Sequence, residues 1–200
     1  KTLWFNTGTL CNIECRNCYI LSSPKNDRLV YLSLADVMPY LDEIERLSAN
    51  EVEIGITGGE PFMCPDILPI MEAILFRGHS LLLLTNAMRP MMRPRLQEGL
   101  LRLRRNGLAE KLILRVSLDS HDQALHDAER GAGAFEEACK GLRWLAEEGF
   151  PVAIAGRQSL HEDEAAARAA YGALARSLGL TLDPADPKQL VLFPEMIAQD

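Results

Sequence analysis

The sequence has little of what marks membrane-spanning or secreted proteins. No purely apolar run in its 200 residues is longer than four residues, as at positions 81–84, whereas a bilayer-spanning helix needs about 20. The first residues also lack a charged and then apolar leader with a small-residue cleavage site. The sequence therefore predicts a cytoplasmic protein with no membrane partner.

Positively charged residues are fewer than negatively charged ones. The chain has 21 Lys and Arg residues against 28 Asp and Glu residues, a net charge of −7, which argues against a surface that holds nucleic acid. Its 48% hydrophobic and 24% charged residues are typical of a folded domain rather than a disordered one. A chain of this length buries roughly 70% of its unfolded surface, which is enough for a single core.

Cysteine is sparse and unevenly placed. Three of the five cysteines, Cys11, Cys15 and Cys18, lie in one short segment. An odd number of cysteines clustered in this way is typical of a metal site in a reducing compartment, not of a disulfide framework.

What the sequence does contain is an alternation of strand and helix patterns. Six apolar runs start near Leu3, Val52, Leu81, Leu112, Val152 and Leu190. Several are continuous, as in strands covered on both faces, which predicts a parallel sheet. Residues 1–200 are expected to form one domain, a piece of a longer protein that lacks its C-terminal extension, because only residues 196–200 follow the last strand.

Helical periodicity fills the segments between the strands. Leu34, Val37 and Leu41 lie on one apolar stripe, which Ser33 opens with Asp36 three residues later as a capping box. Further helices are predicted over residues 65–76, 95–105, 135–149 and 164–178, the last two stopped by glycines. Residues 8–32 show no such pattern, and a loop of this length inside a compact domain is usually functional.

The spacing Cys-x3-Cys-x2-Cys lets this loop place three soft thiolates around one inorganic centre. A structural zinc site or a fully ligated cluster normally has four protein ligands, so three indicate a distant fourth ligand or an iron left open. Three alternatives follow: an iron–sulfur cluster whose open iron binds a ligand, an electron-transfer or cluster-carrying module, and a zinc-stabilised binding module completed by Cys64 or a histidine.

Polar residues follow the second and fourth predicted strands. Gly58 and Gly59 let the backbone approach a ligand closely, and Glu60 can hold an ammonium group. Ser117 and Asp119 place a hydroxyl and a carboxylate two residues apart, which suits a sugar diol. Parallel strands end at one edge, and only a curved, barrel-like sheet brings all these ends together, so the motifs favour a barrel over a doubly wound sheet.

With these motifs in order, the sequence resembles the radical S-adenosylmethionine (radical SAM) superfamily. The signature of that superfamily is a Cys-x3-Cys-x2-Cys loop after the first strand and a GGEP-like turn after the second, and the resemblance covers nearly the whole chain. Further residues resemble the subgroup with SPASM-type extensions that modifies peptides and proteins: Asn86, Ser117, Asp119, His126, Asp127, Arg130, Gly131 and Phe135.

The resemblance implies an α/β fold, a partial (β/α)6 TIM-like barrel with a curved parallel sheet. It also implies that Cys11, Cys15 and Cys18 bind three irons of a [4Fe-4S] cluster while the fourth iron chelates S-adenosylmethionine (SAM). The reduced cluster would cleave SAM to a 5′-deoxyadenosyl radical, which abstracts hydrogen from a substrate, here a peptide or protein. The implied electron donor is a protein such as flavodoxin or ferredoxin.

The resemblance assigns SAM contacts to the matching positions. These are Gly58, Gly59 and Glu60 at the amino group, Ser117 and Asp119 at the ribose, and Asn86 as a further polar contact. The residue before the third cysteine, usually aromatic or large and apolar, is Asn17 here. Tyr19 is a candidate aromatic surface for the adenine, and a loop anchor packed in the core is the alternative. Arg157 is a candidate partner for the SAM carboxylate, although an exposed surface arginine is the more ordinary interpretation.

Other residues with reactive side chains are predicted to be structural. Cys139 lies on an apolar stripe and is expected in the core, and Cys64 is expected to be an ordinary loop residue. His121 and His126 are expected to be surface or satisfied structural groups. The arginines between the third and fourth predicted strands are expected to lie on a solvated helix face. They are Arg89, Arg93, Arg95, Arg102, Arg104 and Arg105.

Overall fold

The computed structural model describes residues 2–47, 52–158 and 162–194, which leaves the predicted tail at 196–200 outside the described residues. The strands are β1 (Thr2–Asn6), β2 (Glu53–Thr57), β3 (Ser80–Thr85), β4 (Leu112–Ser117), β5 (Val152–Gln158) and β6 (Leu190–Pro194). The helices are α1 (Leu34–Arg46), α2 (Ile67–Phe76), α3 (Pro94–Arg105), α4 (Gln123–Arg130), α5 (Ala134–Glu147) and α6 (Glu164–Ser177).

The six strands form one parallel sheet in which each strand pairs with the next along the chain. A doubly wound sheet reverses its order at a switch point. This sheet has no such reversal, so right-handed connections place the helices on one face. In the described part of the chain β1 and β6 remain as edges, so the sheet is not closed. The predicted partial (β/α)6 barrel and its six strand positions are confirmed.

The two faces of the sheet differ in accessibility. Beneath the helices, Leu83 is completely buried. On the opposite face, register places Trp4, Leu82 and Ile113 in one row across the strands. Leu82 is covered there as predicted for a continuous apolar strand, but Trp4 is 46% exposed and Ile113 is 39% exposed. The face away from the helices is therefore partly accessible.

Side-chain caps explain where two of the helices begin. The Ser33 hydroxyl accepts a hydrogen bond from Asp36 N at 3.3 Å, and the Asp36 carboxylate accepts one from Ser33 N at 2.9 Å, which confirms the predicted capping box of α1. Helix α4 was not predicted because eight residues hold too little periodicity. Asp122 caps its first turn, because the Asp122 carboxylate accepts a hydrogen bond from Leu125 N at 3.0 Å. No helix in the described ranges has the length and apolar character needed to cross a membrane.

Candidate functional site

The loop that carries the three cysteines spans residues 8–32 and is called the cysteine loop below. It meets the turn that follows β2. Gly59 N donates to Gly8 O at 2.9 Å, and Glu60 N donates to Leu10 O at 3.1 Å. The loop follows β1 and the turn follows β2, so these contacts lie at the carboxyl ends of neighbouring parallel strands. The predicted convergence of these two motifs is therefore confirmed.

This close approach requires both glycines of the turn. A Cβ on Gly59 would lie 2.2 Å from Leu10 O, and a Cβ on Gly58, whose φ is +151°, would lie 2.4 Å from Thr7 Oγ1. Only glycine fits at these positions because it has no Cβ. The sequence predicted that the glycines bring the backbone close to a ligand, and the structure adds that they also bring it against the cysteine loop.

The loop supplies three free thiols, the number of protein ligands that a cluster with one open iron needs. Cys11 is buried, Cys15 and Cys18 are half-buried, and all three are free thiols. Burial raises the pKa of Cys11 to about 12, so an iron centre that adds positive charge is needed to stabilise its thiolate. No group of three His, Cys, Asp or Glu side chains among the described residues surrounds a single-ion site. A [4Fe-4S] cluster does not need three ligands around a single ion, because each cysteine binds a different iron.

Glu60 is 1% exposed, and its carboxylate accepts three hydrogen bonds. Oε1 accepts from Phe62 N at 3.1 Å and from the Thr85 hydroxyl at 2.8 Å, while Oε2 accepts from Asn86 N at 2.8 Å. Burial raises the pKa of Glu60 above its ordinary value despite these donors. Because a carboxylate has about four acceptor positions, one remains for a ligand.

Asn86 connects this turn to the first cysteine. Its side-chain nitrogen donates to Asn12 Oδ1 at 2.9 Å and lies 3.9 Å from Cys11 Sγ. Its side-chain oxygen accepts from Met88 N at 3.0 Å. Both polar atoms of Asn86 therefore have protein partners, and its contact with SAM stays a prediction.

Asp119 lies in a compact group of charges after β4. It accepts from Arg130 Nε at 2.7 Å, from Arg130 Nη2 at 3.2 Å and from Arg157 Nε at 3.1 Å. The Asp119 side chain is 8% exposed and that of Arg130 is 11% exposed. Burial alone would raise the pKa of Asp119, but the two guanidinium groups outweigh it and hold the pKa below its ordinary value.

The interpretation of Arg157 as an exposed surface residue is wrong. Its side chain is 23% exposed and forms the ion pair with Asp119. Its Nη2 also donates to Asn17 O at 3.4 Å, which ties the end of β5 to the cysteine loop. A contact between Arg157 and the SAM carboxylate stays a prediction.

Helix α4 holds the same part of the cysteine loop. Arg16 N donates to Glu129 O at 2.9 Å, and Asn17 Nδ2 donates to Glu129 Oε2 at 2.8 Å. Asn17, which replaces the usual aromatic residue of the family, therefore fastens the segment between Cys15 and Cys18 to a helix.

Ser117 and Tyr19 have few contacts with the rest of the site. Ser117 is half-buried at the end of β4, and its hydroxyl makes no hydrogen bond with any residue that the structure describes. Tyr19 is 76% exposed and lines a shallow depression on the outside of the cysteine loop together with Leu21 and Leu29. The ribose contact of Ser117 and the adenine contact of Tyr19 stay predictions.

The structural interpretation of the two remaining cysteines is confirmed. Cys139 is 3% exposed in the core. Cys64 follows the turn at 2% exposure, and its thiol donates to Leu32 O at 3.1 Å. The predicted solvated arginine face is also confirmed, since three members pair with surface glutamates: Arg102 with Glu72, Arg104 with Glu148, and Arg105 with Glu98.

The two histidines differ from each other. His121 Nε2 lies 2.9 Å from Glu162 Oε1, as expected for a satisfied group. His126 is fully buried against Phe135, and neither ring nitrogen has a hydrogen-bond partner in the described part of the chain. Burial lowers the pKa of His126 to about 4. The expectation that His126 is a surface or satisfied group is therefore wrong.

Sequence reasoning missed Tyr171 on α6. Its hydroxyl donates to Leu118 O at 2.9 Å and accepts from Arg157 N at 3.2 Å, which joins the ends of β4 and β5. Gly156 makes room for the ring, because a Cβ there would lie 2.5 Å from Tyr171 Cζ. Thr85, Glu129 and the pairing of Arg130 with Asp119 were also missed, and each depends on a contact between distant parts of the chain.

Comparison with known proteins gives several matches. The sequence profile of the Radical SAM superfamily matches residues 5–164. The chain is 31% identical over 147 residues to the antilisterial bacteriocin subtilosin biosynthesis protein AlbA of Bacillus subtilis (strain 168), a match that covers 72% of this chain and 30% of AlbA. It is 32% identical over 172 residues to the mycofactocin maturase MftC of Mycobacterium tuberculosis (strain ATCC 25618 / H37Rv), which covers 83% of this chain and 41% of MftC.

Among solved structures, SuiB of Streptococcus suis superposes with a TM-score of 0.70 at 14% identity, covering 98% of this chain and 40% of SuiB. This likeness supports the partial-barrel fold. The chain spans 30% of AlbA and 41% of MftC. The superfamily profile, in contrast, covers most of the chain, including the cysteine loop and the GGEP turn. The chain belongs to the radical SAM superfamily.

Proposed function

We propose that this chain is the core of a radical SAM enzyme that modifies a peptide or protein. The observation that carries the proposal is the junction of the cysteine loop with the Gly58–Gly59–Glu60 turn through two backbone hydrogen bonds. An electron-transfer module needs only the cysteine loop, and the buried acceptor Glu60 would have no purpose in it. The relatives give that alternative no support, since they are named for biosynthesis and maturation.

Cys11, Cys15 and Cys18 would hold a [4Fe-4S] cluster, and the turn after β2 would hold SAM beside it. When bound, these groups supply one-electron cleavage of SAM to a 5′-deoxyadenosyl radical that abstracts hydrogen from the substrate. The support for this cofactor pair is the family together with three free thiols on one loop.

The chain itself binds and orients. The fourth acceptor position of Glu60 can receive the ammonium group of SAM, where the positive charge would stabilise the ionised carboxylate. The Ser117 hydroxyl and the remaining acceptor position of Asp119 would face the ribose. Arg157 would act mainly through Asp119 and Asn17, holding the loop in place. None of these side chains has to transfer a proton, so their contribution is positioning and exclusion of water.

A peptide substrate is supported by the relatives. AlbA is named for the biosynthesis of a bacteriocin and MftC for the maturation of mycofactocin. SuiB, which shares the fold, has been solved with the precursor peptide SuiA. In this chain the open face of the sheet, where Trp4 and Ile113 are exposed, is the surface on which a peptide would lie.

The proposal includes a protein electron donor such as flavodoxin or ferredoxin. It also includes a reducing compartment such as the cytoplasm, which the five free cysteines support.

The test compares Cys15→Ala with Cys139→Ala after anaerobic reconstitution with iron and sulfide. Wild type and Cys139→Ala should each bind about four irons and form 5′-deoxyadenosine from SAM after chemical reduction. Cys15→Ala should lose the iron–sulfur absorption band and the nucleoside product, because it removes one of three ligands. Cys139 is a matched control, since it is a buried thiol that lies outside the site.

Three results would contradict the proposal. A loaded cluster that forms no 5′-deoxyadenosine and whose electron paramagnetic resonance spectrum does not respond to SAM would favour the electron-transfer alternative. Stoichiometric zinc without iron after anaerobic purification would favour the zinc module. Equal cluster loss in Cys15→Ala and Cys139→Ala would overturn the ligand assignment.

A further inference from the structure

The outside of the cysteine loop exposes an unusual amount of apolar surface. Four of the eleven large apolar side chains that are exposed in the described part of the chain lie close together in sequence: Tyr19, Leu21, Leu29 and Val30, at 76%, 69%, 50% and 85% exposure. Tyr19, Leu21 and Leu29 line one depression together with Arg28. These four apolar side chains, with Lys25 and Arg28, are called the loop face below. Clustered exposure of this kind marks an interaction site.

The loop face is held in place by hydrogen bonds. Leu29 exchanges two bonds with Thr9, from Thr9 N to Leu29 O at 3.3 Å and from Leu29 N to Thr9 Oγ1 at 3.1 Å. Asn26 Nδ2 donates to Leu21 O at 2.7 Å. Leu21 itself has a φ of +54°, a left-handed conformation that is costly for a bulky residue. A strained leucine that also points its side chain into solvent favours a role in binding over a role in folding.

The loop face lies directly outside a predicted cluster ligand. Leu21 N donates to Cys18 O at 3.1 Å, and Ser22 N donates to Cys18 Sγ at 3.2 Å. The backbone at Leu21 and Ser22 therefore separates the sulfur from the exposed surface by a few bonds. Because electron-transfer rates fall steeply with distance, a protein that reduces the cluster has to dock where the cluster is nearest to solvent.

The charge of the loop face differs from that of the rest of the chain. Residues 8–32 carry three cationic side chains, Arg16, Lys25 and Arg28, against two acidic ones, Glu14 and Asp27, whereas the whole chain has a net charge of −7. The three cations are exposed and form no ion pair with any residue that the structure describes. Exposed cations on the same loop as an apolar depression select an acidic partner and steer its approach.

We propose that the loop face is the docking site of an acidic electron-carrier protein that reduces the cluster. The inference rests on the proposed function, since it needs a cluster at Cys11, Cys15 and Cys18. The apolar centre formed by Tyr19, Leu21 and Leu29 contributes contact area close to Cys18, and Lys25 and Arg28 contribute orientation. The substrate peptide and another segment of the same protein are the competing occupants.

The experiment measures cluster reduction in the reconstituted full chain by anaerobic stopped-flow absorbance. The probe is a reduced acidic flavodoxin. Photoreduced deazariboflavin, a small neutral reductant, is used in parallel. The double variant Lys25→Glu/Arg28→Glu and the variant Leu21→Asn are compared with two controls, Lys188→Glu and Leu47→Asn, which change exposed residues elsewhere. Asparagine is chosen at position 21 because it tolerates a positive φ.

We expect flavodoxin to reduce the cluster of the Lys25→Glu/Arg28→Glu variant about tenfold more slowly than that of wild type at low salt. The difference should shrink as salt is added. Leu21→Asn should also be slowed, without the salt dependence. The controls should match wild type, and deazariboflavin should reduce every variant at the same rate.

Two outcomes would overturn the docking site. Flavodoxin could reduce all variants at the wild-type rate, or the loop-face variants could be slowed equally with deazariboflavin, which would place the effect on the cluster itself and not on docking. Failure of the proposed function itself gives a different result: wild type would hold no cluster, or would form no 5′-deoxyadenosine with deazariboflavin.

Discussion

The site contains two buried carboxylates that are kept in place by opposite means. Glu60 after β2 accepts its three hydrogen bonds from two backbone N–H groups and one hydroxyl, all neutral. Asp119 after β4 accepts its three from two guanidinium groups. Each carboxylate thus accepts three hydrogen bonds, and the two sites differ in the charge of the donors.

The pKa values follow from this difference. Burial raises the pKa of Glu60, and neutral donors do not cancel the effect. For Asp119 burial acts in the same direction, but the charges of Arg130 and Arg157 outweigh it and the pKa is lowered. No cationic side chain donates to Glu60, so a cationic ligand can fill that place, whereas Asp119 already pairs with two guanidinium groups.

The comparison teaches that the two halves of the site have different tasks. The Glu60 half consists of tight backbone contacts with one acceptor position open next to the cysteine loop. The Asp119 half is a charge network that reaches Asn17 through Arg157, so it stabilises the loop from outside. Loss of the charge network should cost folding stability, and loss of the Glu60 carboxylate should mainly cost ligand binding.

The largest effect is expected for Asp119→Asn. The substitution leaves the nearly buried Arg130 and the half-buried Arg157 without their counter-charge, and breaking a buried ion pair in this way costs about 3–5 kcal/mol of unfolding free energy. Urea unfolding of the cluster-free protein at neutral pH measures the loss. Asp42→Asn, which removes an exposed partner of Arg77, is the control and should change stability little. Equal losses in both variants would mean that the Asp119 network is no stronger than a surface pair.

Glu60→Gln should destabilise the cluster-free protein less. The amide keeps the shape and one acceptor oxygen, but its NH2 group opposes at least one of the donors, so a loss of about 1–3 kcal/mol is expected. Removal of a buried charge offsets part of this loss. In the reconstituted protein the same variant should weaken SAM binding at least tenfold, measured by equilibrium dialysis. A larger stability loss than in Asp119→Asn would reverse the assignment of tasks.

The pH dependence of stability should have opposite signs for the two carboxylates, with smaller changes than the substitutions themselves. Asp119 has a folded pKa below the ordinary 3.8, so its contribution is complete above that value and is lost as pH falls through the folded pKa. Glu60 has a folded pKa above the ordinary 4.5, so its contribution is largest in acid and is lost as pH rises through the folded pKa.

Urea unfolding of wild type and both variants at about pH 3, 5 and 7 tests this pair of trends. The advantage of wild type over Asp119→Asn should shrink toward acid, and its advantage over Glu60→Gln should shrink toward neutral pH. Parallel trends would show that the arginines do not distinguish the two sites.

The comparison also shows how far sequence reasoning reaches. The cysteine loop and the Gly58–Gly59–Glu60 turn could be found because each is a short local pattern, and parallel strand order brings them together. The Arg157–Asp119 and Glu129–Asn17 contacts could not, because they join residues from distant elements and need the register of the sheet. Helix α4 was missed for a related reason. Its eight residues are too few to establish a periodic pattern, and its position depends on the contacts of Glu129 with the cysteine loop and of Arg130 with Asp119.

The smallest effect is expected for Thr85→Val, which changes one donor of Glu60 without changing its charge. The Thr85 hydroxyl donates to Glu60 Oε1 at 2.8 Å and accepts from Ala87 N at 3.0 Å, so the substitution should cost about 1 kcal/mol. Thr7→Val is the matched control, because the Thr7 hydroxyl is also buried but donates to the backbone Thr57 O at 3.0 Å. Losing a donor to the carboxylate raises the pKa of Glu60 further, so Thr85→Val should shift the pH-stability curve toward higher pH while Thr7→Val lowers stability equally at every pH. If both curves keep the wild-type shape, neutral donors do not control the charge of Glu60, and the contrast with Asp119 rests on the two arginines alone.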